Sequence, residues 1–241
     1  MSTLRITYYE SRLTPYASRF TTQKSQAKNM CRLLLVKSDQ PFESQYHLNQ
    51  LAQIARNSQE YQGHGWGCAC LINGRWEVYK NIKPIWEDQL AAFPPTTLLL
   101  AHARSAFRNE GIAVENNMPF FDEKYVFIFN GELQGVKIKA EGRIGAEKIF
   151  NYIKRFDTGD FAEAVRKAVN IIQKRTTYLR AMNILISDRR KIYLVSVFNE
   201  APEYFTLHLK RHTGQLIICS ENYRGESNWQ KIKNHTIEVF A

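Results

Sequence analysis

Met30-Cys31-Arg32-Leu33-Leu34-Leu35 puts a cysteine at the head of a short apolar run. With Val36-Lys37 behind it, the run reads as a buried strand over residues 31–37. Taken alone, Cys31 is one more small residue of a core, where free cysteine is commonly found. Three later stretches give it a second meaning: Gly63-His64-Gly65-Trp66-Gly67, His102-Ala103-Arg104 and Asn130-Gly131. The question they raise is whether Cys31 is a nucleophile, and how it could be one with thirty residues in front of it.

Residues 1–29 differ from the rest. They are rich in Ser, Thr, Gln and basic side chains, with Glu10 as their one acid, and their apolar residues occur singly. Organelle leaders share this composition. Three readings stay open: a flexible or cleaved leader, an ordered extension packed on the domain, or a start assigned too early. We divide the chain into a leader or extension over 1–30 and a single domain over 31–241.

Downstream, 44–58 reads as a helix, with Leu48, Leu51, Ile54 and Ala55 at helical spacing. The glycine-dense 63–67 is a loop. Asn73-Gly74 between 68–72 and 75–80 predicts a hairpin with a type I′ turn. A short helix is expected over 84–93, and 97–103 is a buried strand delivering His102 and Arg104 at its end. Residues 105–121 form a loop. Residues 125–129 form a strand closed by Asn130-Gly131, with 133–139 as its expected partner. Apolar spacing gives helices over 145–155 and 161–175, the second capped by Asp160. A hairpin over 181–198 and strands over 204–209, 215–219 and 235–240 complete the chain. Strands and helices segregate in blocks, which argues α+β with two largely antiparallel sheets and helices on their outer faces.

Composition narrows the function. The 241 residues, 44% apolar, suffice for one large core. No apolar run approaches the roughly 18–20 residues that span a bilayer, and no secretory signal precedes the domain, so a cytoplasmic protein without membrane association is expected. The net charge of +10 favours anions of any kind. The basic residues are scattered, however, and no nucleic-acid-binding signature accompanies them. Cys31, Cys68, Cys70 and Cys219 lack the spacing of a zinc site. Cys68 and Cys70 share one face of a strand. There is no glycine-rich phosphate loop, so neither cofactor nor metal is expected.

Acyl transfer needs a nucleophile, a base, oxyanion donors and a grip on the substrate. A cysteine can attack, and an N-terminal α-amine with a pKa near 8 can take its proton. An Asn amide and the following Gly N–H can hold an oxyanion, and an Arg can bind a carboxylate through two parallel hydrogen bonds. In order and spacing, MCRLLL, the GWG loop, HAR, the Asn116–Phe120 stretch NNMPF, the NG strand and the late Ser220-Glu221 resemble the class II glutamine amidotransferases. These are N-terminal-nucleophile hydrolases, and the small stand-alone γ-glutamyl amide hydrolases among them are the nearest in kind. No one motif is specific alone; the ordered set is.

The resemblance implies a four-layer αββα sandwich and an enzyme attacking glutamine or a γ-glutamyl-type amide through a thioester. Cys31 would be the nucleophile, Asn130 and Gly131 the oxyanion hole, Arg104 the carboxylate ligand, and Gly65 and Trp66 a loop closing on the substrate. A true amidotransferase would need a synthase partner; a hydrolase would need none. The sequence departs from the family in three places. Gly145 stands where an Asp binds the glutamine amine, with Glu110, Glu115, Glu132 and Glu141 as substitutes by sequence. Met118 replaces a His. Cys31 is not N-terminal as written. The alternative these departures leave is a catalytically altered ligand-binding or regulatory relative on the same fold.

Overall fold

The computed structural model describes residues 6–9, 30–107 and 110–241; for 6–9 it describes the backbone alone. The readings of residues 10–29 therefore lie outside the described residues. In chain order the strands are β1 (Ile6–Tyr9), β2 (Arg32–Phe42), β3 (Trp66–Ile72), β4 (Arg75–Asn81), β5 (Thr96–Ala103), β6 (Phe120–Phe121), β7 (Val126–Gln134), β8 (Tyr178–Ser187), β9 (Ile192–Phe198), β10 (His208–His212), β11 (Gln215–Cys219), β12 (Gln230–Lys231) and β13 (Thr236–Phe240). The α-helices are α1 (Ser44–Arg56), α2 (Gly145–Lys154), α3 (Phe161–Lys174) and α4 (Pro202–Phe205).

Two sheets result. The first runs β1-β4-β3-β5-β2-β11-β10-β12, the second β13-β9-β8-β7-β6. The described pairings are antiparallel except at the edge, where β1 lies parallel to β4, with Ile6 opposite Val78. Alternation along the strands builds the layers. Trp66, Cys68 and Cys70 pack outward with Leu48, Leu51 and Ile54 of α1, while Ala69, Leu33 and Leu35 face the second sheet. On that sheet Phe127 stacks on Phe150 of α2 and Tyr125 on Phe161 of α3, with centroids 5.0 and 3.8 Å apart. The order is helix, sheet, sheet, helices: the αββα sandwich that the element order and the resemblance both implied.

Local chemistry accounts for the elements. Helix α3 buries Phe161, Ala164, Val165, Ala168, Val169 and Ile172, which form one stripe. Each large side chain there contributes about 1.5–3 kcal/mol. Asp160 caps its start by accepting the Glu163 N–H at 3.1 Å. The β3–β4 turn places Asn73 and Gly74 at φ 51° and 75°, as a type I′ turn requires.

Three sequence expectations are corrected. Residues 84–93 form two short 3-10 turns, Ile85–Glu87 and Leu90–Ala92, because Pro84 and Pro94 bracket a segment too short for a stable helix. Residues 204–206 belong to α4 and its C-cap and not to a strand, with Pro202 starting the turn. Asn130-Gly131 does not close its strand. β7 runs through both residues against β8 and is interrupted only by a bulge at Glu132/Leu133, so 133–139 is not a returning partner. The edge of β8 beside β7 supplies the pairing that a turn at Asn-Gly would have broken.

Candidate active site

Cys31 sits just ahead of β2. The antiparallel register sets Arg32 opposite Ala103 of β5, which brings Cys31 beside Arg104 and Ser105. The thiol donates to the Ser105 carbonyl at 3.6 Å, and the Ser105 N–H points back at the sulfur at 3.5 Å. Burial pushes the thiol above its usual range; the Ser105 backbone and the nearby Arg104 and Arg32 charges oppose that shift in part. The Cys31 N–H donates to Asn130 Oδ1 at 2.9 Å. This turns the Asn130 amide so that its Nδ2 is buried and has no hydrogen-bond partner. A buried donor left unpaired costs about 1–3 kcal/mol.

Gly131 cannot be replaced cheaply. A Cβ there would lie 2.0 Å from the Ala181 carbonyl oxygen. The side-chain-free backbone is what lets β7 approach β8 directly beside Asn130.

Arg104 is 5% exposed. Its guanidinium donates to two neutral oxygens, Asn117 Oδ1 at 3.2 Å and the Gly111 carbonyl at 2.8 Å. It forms no ion pair with a described residue. Asn117 is itself fixed by donating to the Asn81 carbonyl at 2.8 Å. Gly65 joins this arrangement through its backbone: its carbonyl accepts the Arg104 N–H at 2.9 Å. It needs φ +102°, and a Cβ would meet Asn117 Nδ2 at 2.2 Å.

Cys31, Arg104, Ser105 and Gly131 line one cavity of about 590 Å³, which extends over the first turns of α2. Its volume falls among those of small-molecule sites, about 300–1,000 Å³. Asn130 touches it through Cys31. Trp66 does not join them. It is fully buried on the α1 side of the first sheet, where its Nε1 donates to Asp88 at 2.8 Å and its ring packs against Tyr79 and Phe93. Strand alternation explains this, since Trp66 shares its face with Cys68 and Cys70. Of the four acids considered in place of an Asp at 145, Glu110 and Glu132 line the cavity.

The histidines are structural by their surroundings. His64 accepts the Ala106 N–H on Nδ1 at 2.8 Å, and burial and the Arg104 charge lower its pKa. His102 is fully buried, and burial lowers its pKa to about 3. Among the described residues no group of His, Cys, Asp and Glu could hold a metal, and no helix is long and apolar enough to cross a membrane.

Two residues that frame the site, Gln62 and Tyr204, carried no sequence signal. The Met30 carbonyl accepts from Gln62 Nε2 and from the Tyr204 hydroxyl, the latter at 2.9 Å. The Met30 side chain is buried with Ala181, Phe198, Tyr204 and Phe205. Arg32, 2% exposed, pairs with Glu221 at 2.5 Å and lies over the Tyr204 ring at 3.8 Å. Ser220 accepts the Leu33 N–H at 2.8 Å. Ser220-Glu221 therefore anchors the strand behind Cys31.

No protein-family model and no curated protein matches the sequence. Solved structures do. A glutamine aminotransferase class-II domain protein from Silicibacter pomeroyi superposes with a TM-score of 0.57 at 15% identity, over 87% of this chain and 94% of that one. A predicted glutamine amidotransferase from Pseudomonas aeruginosa gives 0.56 at 14%, over 87% and 97%. The glutamine phosphoribosylpyrophosphate amidotransferase of B. subtilis, complexed with ADP and GMP, gives 0.59 at 13%, over 79% of this chain and 42% of that one. The chain has the fold of the class II glutamine amidotransferases.

Proposed function

We propose that this chain is an amide hydrolase or amidotransferase acting on glutamine or a γ-glutamyl-type amide through Cys31. One observation carries the reading: the Cys31 nitrogen and the Asn130 side chain meet at 2.9 Å, leaving a buried amide donor beside a thiol and a buried arginine in one cavity. Fold likeness to glutamine amidotransferases adds support.

The chemistry would run as follows. Once the Met30–Cys31 bond is gone, the free α-amine of Cys31 accepts the thiol proton. The sulfur attacks the side-chain amide carbon, and the oxyanion is received by Asn130 Nδ2 and the Gly131 N–H. The amine returns the proton to the departing nitrogen, releasing ammonia and leaving a thioester. Water then attacks the thioester, giving the acid and restoring the thiol. Arg104 holds the substrate carboxylate throughout. While Met30 remains attached, the Cys31 nitrogen is an amide and cannot serve as the base.

The test is ammonia release from a panel of γ-amides, made with protein whose N-terminus has been established by intact mass. Protein beginning at Cys31 should release ammonia and be labelled on Cys31 by diazo-oxo-norleucine, and Cys31→Ala should do neither. Full activity in Cys31→Ala would overturn the reading. So would the absence of both labelling and ammonia release in chains that begin at Cys31.

A further inference from the structure

Beyond the thiol and Arg104, the cavity changes character. Its far wall is formed by Phe129, Leu133, Val136, Ile138, Ile144 and Ile149. At its edge stands Gly145, the first residue of α2, where an added Cβ would meet nothing within 4 Å. This is open space against apolar side chains, in a cavity of about 590 Å³ that a free amino acid would leave largely unfilled.

The acids on the lining do not serve that space. Glu132 lies 3.5 Å from the Arg180 guanidinium and accepts from Gln134 at 2.6 Å. Glu110 is exposed to solvent and adjoins Gly111, whose carbonyl holds Arg104, so it belongs to the arginine end of the cavity and not to the end at Gly145. Lys148, also on the lining, is a cation. An ammonium placed here would lose water and gain no committed counter-charge, which is costly. The cationic end of the cavity, by contrast, asks for a carboxylate, because Arg104 is buried with neutral partners only.

We infer that the substrate is an N-acylated glutamine-type amide: a carboxylate for Arg104, a side-chain amide for Cys31, and an apolar acyl group covering the amine and lying on the wall between Leu133 and Ile149. This rests on the function proposed above and goes further by excluding a free α-amine. Each acyl methylene buried on the wall should tighten binding by about fourfold.

Binding tests this separately from catalysis. With Cys31→Ser protein, calorimetry should give N-hexanoyl-glutamine a Kd at least tenfold below that of glutamine, with N-acetyl-glutamine between them. Equal affinities, or tighter binding of glutamine, would overturn the inference whether or not any amide is hydrolysed. A converse variant sharpens it. Gly145→Asp meets no steric bar and puts a carboxylate at a helix N-terminus, where one is favoured. It should shift the preference toward free glutamine by at least tenfold, and an unchanged ratio would also count against the inference. Failure of hydrolysis with the binding order intact would instead remove the proposed function.

Discussion

Asn130→Ala separates the two ends of one side chain. Oδ1 accepts the Cys31 N–H at 2.9 Å, while Nδ2 is buried without a partner. Under the proposed function, loss of Nδ2 removes one donor from a developing oxyanion, which costs about 2.7–4 kcal/mol, or roughly 10²–10³ in kcat. Loss of Oδ1 orphans one N–H, worth about 1 kcal/mol. For a chain of this size that is a melting shift of about 2–4 °C per kcal/mol. The assay is ammonia release at saturating amide with protein beginning at Cys31, alongside thermal melting and the rate of Cys31 alkylation by iodoacetamide. Expected are a kcat lowered by about two to three orders of magnitude, a melting temperature within a few degrees of the parent because removal of the unpaired Nδ2 offsets the lost acceptor, and alkylation within a few-fold of the parent. A kcat loss below tenfold would refute the oxyanion role. A parallel collapse of alkylation would place the effect of Asn130 in the thiol itself.

Other expectations follow from single contacts. Arg104→Met should lower kcat/KM for a carboxylate-bearing amide by about 10–150-fold, from a charged hydrogen bond worth about 1.5–3 kcal/mol, and leave the slow turnover of an amide lacking the carboxylate unchanged; steady-state kinetics on the two substrates decides it. Gly131→Ala should cost about 1–3 kcal/mol by forcing β7 from β8, since its Cβ would lie 2.0 Å from the Ala181 carbonyl; denaturant melts will measure the loss. His47 and His102 are held by burial at about 4 and about 3, below the usual 6.5. The unfolded chain therefore binds more protons between pH 6.5 and those values, and stability present above pH 6.5 drains away as pH falls through that window. Thermal melts from pH 7 to 4 should flatten in His102→Gln, and an unaltered slope would show that His102 contributes none of the loss.

Periodicity made most of the fold legible, because buried faces repeat in the sequence as they do in space. The stripe of α3, the Asn73-Gly74 hairpin and the shared face of Cys68 and Cys70 all follow from local rules. Reading failed where partners are distant. Asn130-Gly131 looks like a turn because turn chemistry is local, yet pairing with 178–187 keeps it inside a strand. Trp66 looked like a loop residue beside two glycines, but β3 begins at Trp66 and its alternation sends the indole outward to Asp88. Gln62 and Tyr204 meet at the Met30 carbonyl although 142 residues separate them. No spacing in the chain could announce that meeting, which exists only once α4 has packed beneath β2.

The surroundings of the thiol leave few candidates for its base. Burial holds Cys31 above its usual range, so little thiolate stands ready at neutral pH, and the proposed catalysis needs a proton acceptor close by. The hydrogen-bond partner of the sulfur among the described residues is the Ser105 backbone. The nearest cations, Arg104 and Arg32, cannot accept a proton. His64 has its Nδ1 occupied by the Ala106 N–H, and His102 is sealed between the sheets. Glu60 acts on the thiol through its charge, whereas the nitrogen of Cys31 belongs to the same residue and is already oriented by Asn130 Oδ1. In a peptide bond that nitrogen has no basic lone pair; as an α-amine with a pKa near 8 it does. Hydrolysis should therefore scale with the fraction of chains that begin at Cys31, read by intact mass on the same samples. Equal turnover in protein that retains Met30 would require another base and would undo this account of the site.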